Sequence, residues 1–206
     1  MSEESGAAPV AVPPRTALLR VAGILIVISA LALAIKQIFG LVLEYQTLYS
    51  PGNSDGFGDL LPLFVLVVLE ALPLIVAFVL LAIWVRQPLA SAVFLILAIA
   101  IPIGYLAGPT ELGNAVDLVH VSFAVLAGFF LLVTGILGRR ASVLFLIAMV
   151  LFAFQVASSV TGLLDERTLW GDSATGVALA VAYGAFGVAL VLRWWNIRRD
   201  GADLQP

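Results

Sequence analysis

Long apolar runs alternate with short polar interruptions along the chain, and the run lengths set the first expectation. Six segments are nearly free of charge: 21–43, 60–85, 88–107, 116–138, 141–164 and 175–192. They hold 23, 26, 20, 23, 24 and 18 residues, and a helix needs about 20 to cross the hydrocarbon core of a bilayer. None has the in-and-out alternation of a barrel strand. A helix also satisfies its own backbone in a solvent that offers no hydrogen bonds. The pattern predicts an all-α fold, a polytopic membrane bundle of six transmembrane helices within residues 17–199. Residues 1–16, with Glu3, Glu4, Pro9, Pro13 and Pro14, read as a disordered tail, and 200–206 as a short polar end.

The interruptions carry the orientation. Arg86-Gln87 and Arg139-Arg140 are two-residue turns, whereas 44–59, 108–115 and 165–174 are longer loops. Placing the short turns and both termini on one side gathers Arg15, Arg20, Arg86, Arg139, Arg140, Arg193, Arg198 and Arg199 there. Only Arg167 falls opposite, and Lys36 lies inside a span. The positive-inside rule then predicts cytoplasmic termini and a multi-pass protein of the plasma (cytoplasmic) membrane. Trp84, Trp194 and Trp195 fall at the inner boundary, and Tyr45, Tyr49, Tyr105 and Trp170 near the outer one, where amphipathic rings prefer to sit. A competing reading takes Arg15 and Arg20, the apolar stretch 21–31 and the small-residue site Ala32-Leu33-Ala34 as a cleaved leader. The run continues to Leu43 at full spanning length, which favours a retained helix.

Composition narrows the chemistry. The chain is 62% apolar and 11% charged, with a net charge of −3, against roughly 25% charged residues in soluble domains. It has no cysteine, which excludes disulfides, thiol catalysis and Cys-ligated metals. A haem held by two imidazoles has no ligand set within the chain, because His120 is the single histidine. No basic run supplies a nucleic-acid footprint. No cofactor and no metal are expected.

Ionisable residues inside a membrane are expensive and mark candidate sites. At about 1.5 Å per residue, Lys36 lies roughly 10 Å below the outer end of its span, Glu70 about 15 Å, Gln155 about 14 Å, His120 about 6 Å and Asp117 about 2 Å. All five belong to the outer half; the inner half holds little beyond Ser29, Ser91, Thr134 and Ser142. Lys36 and Glu70 come from consecutive helices at comparable depth. The favoured reading is an ion pair that fixes packing; snorkelling of Lys36 and a pair that binds a ligand or exchanges a proton are the alternatives. Pro73 leaves the Leu69 carbonyl without its helical donor beside Glu70. Asp117 and His120 share a helix face at i, i+3, a hydrogen-bonded interfacial pair and too few ligands for zinc. Gln155, Ser158, Ser159 and Gly162 form a polar stripe. Ala153, Ala157 and Thr161, and Ala180, Gly184 and Gly187, read as packing faces.

Two functions fit these features. One is a non-catalytic accessory, scaffold or assembly subunit. The partners expected are the lipid bilayer and either another membrane protein or a second copy, with no nucleic acid. The other is a small transporter or sensor with an outer-half pocket lined by Lys36, Glu70, His120 and Gln155. The apolar inner half argues against a permanently open pore. An enzyme acting on lipid ranks third.

Overall fold

The computed structural model describes residues 14–49, 60–107 and 169–202, and between them 118–119, 122–123, 125–130, 133, 139–140, 142–148 and 150–151. All of these are helical except the turn 85–87. The complete helices are α1 (Pro14–Tyr49), α2 (Leu60–Trp84), α3 (Pro88–Ala107) and α4 (Leu169–Ala202). Each contains a stretch long and apolar enough to cross a membrane: Thr16–Val42, Leu61–Trp84, Pro88–Leu106 and Gly176–Arg199. The short helical stretches within 118–133 and 142–151 fall in the fourth and fifth expected spans, and Arg139 and Arg140, read as a turn, are helical as well.

α3 has the bounds that its apolar run predicts, and α2 stops one residue short of its own. α1 and α4 extend beyond their runs at both ends. Apolar length measures only the part of a helix that lipid must accept. The hydrogen-bond ladder continues wherever polar side chains can be solvated. Residues 14–16, read as tail, therefore open α1, with proline at the first helical position, where its missing N–H is no loss. Gly201 and Ala202, read as polar end, close α4.

The outside of the bundle is apolar. Leu31, Leu61, Phe64, Leu72, Leu89 and Leu106 are all exposed, Leu106 to 88%. Such a surface requires a solvent as apolar as itself, and in lipid the association of helices rests on close packing. Small residues provide it. On α1 and α4, a β-carbon on Gly23 would stand 2.8 Å from the Gly187 carbonyl oxygen, and one on Gly187 would stand 2.7 Å from the Gly23 oxygen. Further along, Gly184 meets Ala30, and Gly176 leaves room for the Gln37 side chain. Positions 23, 30 and 37 recur every two turns on α1 while their partners descend along α4, so the two helices are antiparallel. The stripe that includes Gly184 and Gly187 is thus a packing face, and its partner is the first helix.

Aromatic rings fill the centre. Phe78 lies 6.2 Å from Phe94 and 6.4 Å from Tyr183, and Phe145 lies 6.1 Å from Phe186. The α2–α3 hairpin is tied at its turn. Ser91 N–H donates to the Gln87 carbonyl, Pro88 takes the first helical position, and Ser91 Oγ donates to the Ala82 carbonyl at 2.9 Å. α1 packs against both α2 and α4. The starts of α1 and α3 and the finishes of α2 and α4 thereby share one end of the bundle. That end carries Arg20, Arg86, Arg193, Arg198 and Arg199.

Candidate functional site

Three helices meet around Glu70. The Lys36 ammonium of α1 donates to the Glu70 carboxylate of α2 as hydrogen bond and ion pair. The same ammonium stands 5.7 Å from the centre of the Tyr105 ring, on α3. One turn pair below Lys36, Ser29 is fully buried and donates its hydroxyl to the Glu70 backbone carbonyl at 2.5 Å.

Helix geometry explains how two residues seven apart reach one glutamate. A helical side chain leans toward its own N-terminus, whereas the carbonyl points toward the C-terminus to meet the donor four residues on. Glu70 therefore offers its carboxylate in one direction along α2 and its carbonyl in the other. Because α1 runs antiparallel to α2, Lys36 meets the first and Ser29, about 10 Å away along the axis, meets the second. Pro73, inside α2, has no N–H to give the Leu69 carbonyl in the turn that contains Glu70. Ser29 supplies a hydroxyl to the neighbouring carbonyl of that turn.

The electrostatic balance is local. Lys36 and Glu70 side chains are 20% and 13% exposed, with Ile35, Ile38, Leu69 and Leu72 exposed beside them. Neither charge is tolerable alone in such surroundings. Together they form a neutral unit, and Tyr105 adds the negative face of its ring to the ammonium. Two charges that neutralise each other hold helices in register; each must be released from the other before either can serve a ligand.

Of the predicted site residues, the structure brings together Lys36 and Glu70. Asp117, His120 and Gln155 lie outside the described residues, as do the 50–59 loop and the stripe from Ala153 to Gly162. Among the described residues no group of three or more histidine, aspartate or glutamate side chains gathers that could hold a metal. Two members of the site were not assigned to it from the sequence. Ser29 was readable from its two-turn spacing to Lys36, and Tyr105 was assigned only to the interface.

No protein-family model matches the chain, and no curated protein or solved structure matches it either.

Proposed function

We propose that the chain is a non-catalytic integral membrane subunit, acting as an accessory, scaffold or assembly element, that crosses the cytoplasmic membrane six times with both termini in the cytoplasm. The observation that supports this reading most is the mutual satisfaction of Lys36 and Glu70. Among the described residues the two intramembrane charges are consumed on each other, with Ser29 on the adjoining carbonyl, and this arrangement stabilises packing. The apolar exterior suits contact with lipid and with another membrane-embedded chain. The arginine-rich end, in this reading, faces the cytoplasm.

A charge exchange tests the role of the pair. Lys36→Met and Glu70→Gln are each expected to lower thermal stability in mild detergent, by about 3–5 kcal/mol where a partner charge is left alone. The double variant Lys36→Glu, Glu70→Lys is expected to recover most of the loss, and affinity purification to bring down a stoichiometric membrane partner or a second copy. Repeated isolation of a lone chain overturns the subunit reading. A folded double variant that has lost a specific ligand-induced thermal shift points instead to a transporter or sensor. The absence of native cysteine makes topology testable by single-cysteine labelling. Gln87→Cys is expected to react from the cytoplasm and Ser54→Cys from outside.

A further inference from the structure

The arginine-rich end of the bundle holds a second constellation, at the junction of α1 and α4. Trp194 is 8% exposed, and two guanidinium groups converge on its ring. Arg20 of α1 stands 4.7 Å from the ring centre and Arg198 of α4 stands 5.7 Å away. The Trp195 ring meets Trp194 edge-on at 6.2 Å. Beside them, Arg193 has its Nε buried with no hydrogen-bond partner among the described residues.

The geometry points to a binding site here for the phosphate group of an anionic membrane lipid. Stacking on an indole uses the flat face of a guanidinium and leaves its N–H donors, which lie in the plane, free at the edge. Arg20 and Arg198 both hold their charge against one indole, and neither pairs with a side chain that the structure places. A buried guanidinium N–H without an acceptor is costly, and Arg193 places one in the same neighbourhood. Among the side chains the structure places, the ion pair is that of Lys36 with Glu70, and it involves none of these three groups. The two stacked guanidinium carbons lie no more than about 10 Å apart, since both reach one ring. A phosphate has several acceptor oxygens and matches the planar fork of arginine in pairs of bonds.

The surroundings favour a lipid over free phosphate. Val21 and Ile24 of α1 and Val188 of α4 are exposed on the adjoining turns, which provides an apolar surface for acyl chains below the headgroup. Trp195, 56% exposed, has the amphipathic character suited to that boundary. Three positive groups disfavour a headgroup that carries its own cation, so phosphatidylglycerol is the expected class and phosphatidylcholine is not.

The test uses the full chain, delipidated in mild detergent, with thermal unfolding and native mass spectrometry as readouts. Added phosphatidylglycerol is expected to raise the melting temperature and to remain bound in the gas phase. Phosphatidylcholine and inorganic phosphate, each at the same concentration, are expected to do neither. Arg20→Gln and Arg198→Gln, both on exposed side chains, are expected to weaken phosphatidylglycerol binding about tenfold or more, as the loss of a charge-assisted hydrogen bond does. Arg193→Lys, which keeps the charge and removes Nε, is expected to weaken it as well. Arg86→Gln, at the same end but outside the cluster, is expected to leave it unchanged. Equal binding of the two lipids overturns the proposal. So does an equal shift from inorganic phosphate, and so does a loss in Arg86→Gln as large as that in Arg198→Gln, because a diffuse positive potential would then suffice.

Discussion

Replacing Gly187 with alanine tests the idea that the bundle depends on a backbone-to-backbone approach of α1 and α4. The added β-carbon would stand 2.7 Å from the Gly23 oxygen, 2.8 Å from Val27 Cγ2 and 3.0 Å from the Val27 nitrogen. Ordinary contact begins at 3.4 Å, so the helices must separate locally by several tenths of an ångström. Two of the three obstacles are backbone atoms, which no rotamer change relieves. Overpacking of this kind costs about 1–3 kcal/mol, offset in part by the better helix propensity of alanine, about 1 kcal/mol. A net loss of up to roughly 2 kcal/mol corresponds to a fall of up to about 8 °C in melting temperature for a chain of this size. Gly184→Ala, one turn away, is the matched control. Its β-carbon would meet Ala30 at 3.8 Å, an ordinary contact, so only the propensity gain remains and the melting temperature is expected to hold or rise. Thermal unfolding of the two purified variants in one detergent decides the matter. If Gly187→Ala melts as high as Gly184→Ala, glycine is not holding these helices close.

Other substitutions probe the remaining contacts. Ser29→Ala removes the hydroxyl from the Glu70 carbonyl and is expected to lower stability by about 1 kcal/mol; an unchanged melting curve would show that this bond contributes nothing to the turn containing Glu70. Phe78→Ala empties the centre between Phe94 and Tyr183. Because lipid is as apolar as the core, the transfer contribution is small and the cavity remains as the main cost, roughly 2 kcal/mol. A loss of 4 kcal/mol or more in the same thermal assay, the order of the upper range for soluble cores, would contradict that division.

The legible part of this protein was the part carried by residue order. An apolar run of spanning length declares a membrane helix without reference to any neighbour, and four such helices stand in the structure over the first, second, third and sixth expected runs. The small-residue stripe on α4 was readable as a packing face for the same reason, since periodicity along one helix is enough to define a stripe. Lys36 and Glu70 were recognisable as a candidate pair because charge in such runs is costly wherever it lies. Their contact was not readable, because depth along two helices leaves the rotation of each about its axis undetermined.

Rotation depends on how surfaces mesh. The apposition of Gly23 and Gly187 turns one face of α1 toward α4, and the antiparallel approach of α2 then places the two ends of one glutamate between Ser29 and Lys36. Arg20 and Arg198, far apart along the chain, reach a single indole through the same meshing. Hydropathy adds residue by residue and so survives in a linear text. Contact is a relation between faces of different helices, and it came into being only when side-chain volumes, steric limits and the hand of the helix selected one arrangement.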